Sequence, residues 1–283
     1  MRVAPNRQRA DEWAVVLAAS NIPHRLRRRL DGWALIVPAP DAAAALESLD
    51  AYDRENVGEG ADRGDAVAPS PPITMVGMYV ALLMIGLFAI TGSRAARSEW
   101  FQHGSADAAR MMAGEWWRAV TALTLHADAP HLLGNALAGA LLVTAVCQQL
   151  GPGVGLWLLL LAGAGGNALT AAVHGAGHVS VGASTAIFGG IGILAALRIV
   201  TPSRAGSRPG KWWIVAAASL ALLAVLGTGP NADLLAHVFG LLAGGALGLV
   251  AALTIRSMPP APVQWLLVAA AGAAVCGAWR LAF

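Results

Sequence analysis

Residues 233–248, "DLLAHVFGLLAGGALG", decide the fold. With their apolar neighbours they reach the roughly 20 residues that cross a bilayer core. One titratable side chain lies well inside the run, His237. Gly240, Gly244 and Gly248 follow at +3, +7 and +11, a small-residue stripe on the histidine's own helical face. Such stripes let helix backbones approach closely. An ionisable group inside a membrane span is costly and marks function by default. Alone, His237 also reads as a core histidine bonded between helices. With the stripe, the pattern predicts a helix that brings a partner's backbone up against an imidazole.

The rest of the chain agrees with a membrane setting. Of 283 residues, 57% are hydrophobic and 12% charged, with 33 glycines. Soluble domains carry about 25% charged residues. Apolar segments at 73–92, 131–149, 155–173, 184–200, 212–228, 232–254 and 262–281 predict seven spans. Loop 201–211 carries Arg204, Arg208 and Lys211, and loop 255–261 carries Arg256, whereas loops 174–183 and 229–231 carry no Lys or Arg. The positive-inside rule then puts the N-terminal region in the cytoplasm and the 93–130 and 174–183 loops outside, with Arg94 and Arg97 mildly opposed. Loop 93–130 is long, aromatic-rich and half apolar, and is expected in the interface. Cys147 and Cys276 fall toward opposite faces, too far apart for a disulfide. The first 70 residues lack the apolar h-region of a signal peptide.

Residues 1–56 read as a small soluble α+β domain in α-β-β-α order, with a hairpin at Asp31-Gly32 and a second helix capped by Asp41. The run Arg25 to Arg29 reads first as a solvated strand face or a membrane-surface contact. Residues 57–72 are a linker by composition. Residues 73–254 form the six-helix membrane core, and 255–283 hold one further span. The expected fold is an all-α polytopic membrane protein behind that small domain.

A second small-residue surface, "VGASTAIFGG" at 181–190, opens the fourth span with Ser184 near its start. Two small-faced helices, one bearing Ser184 and one His237, can bring a hydroxyl within reach of a general base. In "HADAPHLLGN", residues 126–135, Pro130 suits a first helical turn, so His131 and Asn135 fall at i and i+4 on one face. Asn is an apt oxyanion donor because it gives N–H bonds without titrating. All four side chains are expected at similar depth near the outer face.

These motifs, with Trp117-Arg118 in the long loop and the His126/His131/Asn135 spacing, resemble the rhomboid family of intramembrane serine proteases over residues 73 to about 254. The extra span resembles the six-plus-one layout of that family. The resemblance implies Ser184 as nucleophile and His237 as general base in a dyad. It implies an oxyanion hole from Asn135, His131 and the Ser184 N–H. It further implies that Arg118 and Trp117 order the first loop, that His126 holds its end, and that Phe188 packs on the histidine. Gly182, Gly240 and Gly244 would supply the close approach. Two positions depart: Thr185 stands where the family usually has Gly, and Cys147 where an acidic residue is common.

Rival chemistries lack their residues. Zinc enzymes of the H-E-x-x-H type need a His-Glu pair, which does not occur, and no span holds an interior Asp for an aspartyl enzyme. Asp233 lies four residues before His237 but more simply serves the helix start. A transporter would show internal repeats and midplane acids. A catalytically inactive relative that binds membrane clients is the remaining alternative. The implied partners are transmembrane protein substrates and the bilayer, with no nucleic acid, no cofactor and no metal. A cytoplasmic partner of the N-terminal domain is not specified. The expected location is the cell membrane, with the active site open to the extracytoplasmic side.

Overall fold

A computed structural model describes residues 2–29, 32–56, 75–200, 233–255 and 257–283. The chain divides into two compact units, essentially residues 1–73 and residues 74–254 with 259–283.

The first unit contains β1 (Arg2–Ala4), α1 (Arg7–Ala19), β2 (Arg25–Arg29), β3 (Gly32–Ile36) and α2 (Ala42–Glu55). The strands form an antiparallel sheet in the order β1-β3-β2, with Arg29 paired to Gly32. Strand β1 is an addition to the expected α-β-β-α order. Its three residues are too few to show a period of two, and pairing with β3 defines it. Ala10, Trp13, Leu17, Leu35 and Leu49 fill the core between sheet and helices. Helix α1 is capped by the Asn6 side chain. Asp41 precedes α2 but makes no side-chain cap bond, because a 3-10 turn over Ala39–Asp41 leads into the helix instead. Asp31 and the 57–72 linker lie outside the described residues.

The second unit is built from α3 (Val76–Thr91), α4 (Glu99–Gly104), β4 (Ala106–Asp107), α5 (Ala108–Met112), α6 (Arg118–Thr121), α7 (Ala129–Leu150), α8 (Pro152–His174), β5 (Val179–Ser180), α9 (Ser184–Val200), α10 (Leu234–Thr254) and α11 (Ala261–Ala282). Among the described residues five helices are long and apolar enough to cross a membrane, and α9, at 17 residues, is a shorter apolar helix. The protein is therefore a multi-pass membrane protein. Six of the expected spans coincide with these helices; the seventh, 212–228, and the basic loop 201–211 lie outside the described residues.

Helix α9 packs on α8 and α10, α3 on α7, and α11 on α8. The α9–α10 contact is backbone on backbone. A Cβ at Gly240 would strike the Thr185 carbonyl, at Gly244 the Gly189 carbonyl, and at Gly248 the Ile193 backbone. The sequence offset is the same at each contact, so two parallel helices run in register along the glycine stripe.

Loop 93–128 is a chain of short helices with one strand pairing, β4 to β5, back to the 174–183 loop. Helix α11 braces the unit at both ends. At one end buried Gln264 accepts from the Gly153 N–H (2.7 Å) and Val154 N–H (3.1 Å) and donates to the Leu150 carbonyl. At the other, Trp279 donates to Thr124 Oγ1 at 3.1 Å and its ring covers Gly104. Cys147 and Cys276 are both free thiols.

Candidate active site

Ser184 is the first residue of α9 and His237 lies in the first turn of α10. Their side chains meet: His237 Nε2 is 2.8 Å from Ser184 Oγ, and both residues are buried. The parallel glycine register causes this. With Gly240 against Thr185, the residue just before Thr185 on α9 faces the residue one turn before Gly240 on α10. Phe188, one turn along α9, stacks on the imidazole at 4.5 Å between centroids and 21° between planes, fixing the ring's plane.

Gly182 makes the approach to Ser184 possible. Its φ of +129° is a conformation that L side chains rarely adopt. A Cβ there would also lie 2.7 Å from the His131 ring. The Gly182 N–H donates to the Ala122 carbonyl at 2.9 Å, tying this strand-like segment to the first loop. His131 thus lies beside the residue that introduces the serine.

Helix α7 starts at a strong cap: the Asp128 side chain accepts from the His131 N–H at 2.8 Å, and Pro130 occupies the first turn. One turn on, fully buried Asn135 donates from Nδ2 to the His131 carbonyl at 2.8 Å. An amide nitrogen has a second N–H, so a donor remains for another acceptor. His126 is fully buried with neither ring nitrogen hydrogen-bonded among the described residues, and it meets His131 edge-on at 5.5 Å. Burial, reinforced by His131, pushes its pKa down to about 3, so it is held neutral.

Arg118 organises the first loop from within. It is 1% exposed, donates to Glu115 Oε2 at 2.6 Å, and donates from Nη1 to the carbonyls of Gln102 and Ser105. These bonds gather α4, β4 and α6 around one guanidinium. Trp117 is half-buried with its indole N–H unpartnered among the described residues.

Asp233 caps α10, accepting from the Ala236 N–H at 3.0 Å, and its other oxygen lies 2.6 Å from His178 Nε2. His237 Nδ1 has no hydrogen-bond partner among the described residues. The hydrogen bonds of this carboxylate go to the helix end and to loop 174–183, and none reaches the His237 ring.

Sequence patterns pointed to these residues but missed Asn167. This buried side chain accepts from Thr185 Oγ1 at 3.0 Å and donates to the Ala119 carbonyl at 2.9 Å. A lone Asn in the apolar run "GAGGNALT" was the available signal. Gln264 was also missed. It supplies polar bonds at the α7–α8 turn, the end of α7 that carries Cys147.

Comparison with known proteins matches the Rhomboid domain to residues 113–254, half of the chain. The chain belongs to the rhomboid family. It is 34% identical over 139 residues to YdcA of Bacillus subtilis, which is named provisionally as a rhomboid protease, covering 48% of this chain and 68% of that one. It is 34% identical over 124 residues to the rhomboid protease GluP of the same organism, covering 44% of this chain and 24% of GluP. RHOMBOID-like protein 1 of Arabidopsis thaliana is 33% identical over 146 residues, 48% of this chain and 34% of its own length. The protease names of the first two support intramembrane proteolysis at the level of the rhomboid family. The rhomboid match includes Ser184, His237, His131 and Asn135 and ends at Thr254, before α11.

Proposed function

We propose that this protein is an intramembrane serine endopeptidase that cleaves peptide bonds in or next to transmembrane segments of other membrane proteins. The observation that carries this reading is the 2.8 Å contact between Ser184 Oγ and His237 Nε2 inside a buried helix junction. A hydroxyl is a weak nucleophile until a base takes its proton, and an imidazole at hydrogen-bond distance is such a base.

The steps follow from the atoms present. His237 Nε2 takes the Ser184 proton as Oγ attacks the scissile carbonyl. The developing oxyanion is met by the free N–H of Asn135, the His131 ring and the Ser184 N–H. The imidazolium then protonates the leaving amine, and water, deprotonated by His237, releases the acyl group. No carboxylate bonds His237 Nδ1 among the described residues, which supports reading the pair as a dyad. The substrate helix must unwind locally, since helical carbonyls are engaged in i to i−4 bonds.

The same reading puts the protein in the cell membrane, with the N-terminal unit cytoplasmic and the site open to the extracytoplasmic side. The reading needs the serine end of α9 to lie within the bilayer, where non-helical backbone survives only if protein buries it. Residues 181–185 are all buried.

The test is cleavage of a single-pass substrate by the purified protein in proteoliposomes. Wild type cleaves; Ser184→Ala and His237→Ala, folded as judged by thermal unfolding, do not. Cleavage by either variant at the wild-type rate would refute the dyad. A folded wild type that binds single-pass proteins without cutting any would favour an inactive client-binding relative.

A further inference from the structure

Thr185 is one of two positions that depart from the expected family pattern, and its surroundings fit a threonine closely. Thr185 is 2% exposed and Asn167, on α8, is 4% exposed. The Thr185 hydroxyl donates to Asn167 Oδ1 at 3.0 Å, and Asn167 Nδ2 donates to the Ala119 carbonyl at 2.9 Å. Ala119 follows Arg118, whose guanidinium gathers the first loop. A continuous polar path thus runs from that loop, through α8, to the residue next to Ser184.

The apolar half of Thr185 is matched as well. Its methyl group occupies the space a Cβ would take at Gly166, and its carbonyl lies against Gly240. Three helices meet at this one side chain. With glycine at 185 the Asn167 carbonyl oxygen would lose its donor, and a buried polar atom without a partner is strongly disfavoured. Asn167 and Thr185 are therefore a matched pair.

We infer that Thr185 and Asn167 are positioning residues: their hydrogen bond locks the first turn of α9 to the Arg118 loop and so holds Ser184 in register with His237. This rests on the dyad reading above. Neither side chain touches the reacting atoms. Their effect comes through the placement of Ser184 Oγ, where displacements of about 1 Å cost up to about a hundredfold in rate.

The experiment uses the full-length protein in proteoliposomes, with kcat and KM for a single-pass substrate and amide hydrogen exchange of residues 184–190. Thr185→Val keeps the shape and removes the donor; Thr185→Ser keeps the donor and removes the methyl. The expected result for Thr185→Val is a kcat about ten- to a hundredfold lower, a KM within about twofold, and faster exchange in the first turn of α9. Thr185→Ser restores most of kcat. Asn167→Leu resembles Thr185→Val, and the double variant is no worse than the poorer single one. Wild-type kcat in folded Thr185→Val, failure of Thr185→Ser to rescue, or additive losses would overturn the inference. If wild type cleaves nothing, the dyad reading falls instead. Hydrogen exchange still decides the lock, because unchanged protection in both Thr185→Val and Asn167→Leu would refute it.

Discussion

The Gly240 backbone lies directly against the Thr185 carbonyl, one residue past Ser184 on one helix and one turn past His237 on the other. The 2.8 Å contact between serine and histidine is a consequence of that approach. Chemistry and packing are thus one feature.

Widening the α9–α10 seam should separate the two side chains. Gly244→Val sets a branched side chain against the Gly189 carbonyl, in a seam with no space for a Cβ. The expected cost is at least about 1–3 kcal/mol of stability, as for overpacked cores. Cleavage should fall by more than the loss of folded protein explains. Gly245, with nothing within 4 Å of its Cβ position, is the control: Gly245→Ala should leave both unchanged. Thermal unfolding and cleavage rates on the two variants decide it.

His126 gives a pH dependence of stability. It is held neutral with its pKa near 3, against an ordinary value of 6.5. Between those values the unfolded chain binds a proton that the folded chain does not, so stability rises with pH across the window and is lost on acidification. The His126 contribution is at most about 1.4 kcal/mol per pH unit. Unfolding titrations in mixed micelles from pH 7 to pH 4 should show a shallower fall in His126→Phe than in wild type. Equal slopes would contradict the burial of an uncharged ring.

Helix α11 lies beyond the rhomboid match, yet Gln264 satisfies two backbone N–H groups and one carbonyl at the α7–α8 turn. Gln264→Leu orphans them and should destabilise the membrane unit by about 1–3 kcal/mol or more. Gln264→Glu keeps the acceptor for the two N–H groups and should lose less stability if its carboxyl is protonated at low pH. Unfolding midpoints of the two variants at pH 5 and pH 8 test this ordering.

Asp233 caps α10 and reaches His178 rather than His237. Asp233→Ala should therefore lose about 1 kcal/mol of stability, the usual value of a cap. Its cleavage rate should stay within about tenfold of wild type. A loss of several orders of magnitude in a folded variant would convert the dyad into a triad.

Much of this arrangement is legible in the sequence. Span positions follow from apolar length, and the glycine stripe carries the α9–α10 register because spacing on a helix fixes the face. His131 and Asn135 sit on one face of α7 for the same reason. The first loop is less legible. Helices as short as Arg118–Thr121 have no periodicity of their own and form because Arg118 supplies partners for distant carbonyls. Asn167 and Gln264 escaped because each acts across a tertiary gap that no local pattern encodes. Strand β1 depends likewise on its partner β3.

The central claim is that His237 activates Ser184. An alkyl fluorophosphonate reports this directly, since it bonds to an activated serine oxygen with loss of fluoride. Intact-mass and peptide analysis of the treated full-length protein should find one adduct, on Ser184. In folded His237→Ala the labelling rate should drop by about 10²–10⁴-fold, the usual worth of a general base. Equal labelling of Ser184 in wild type and His237→Ala, or no labelling of Ser184 in an active wild type, would contradict the account.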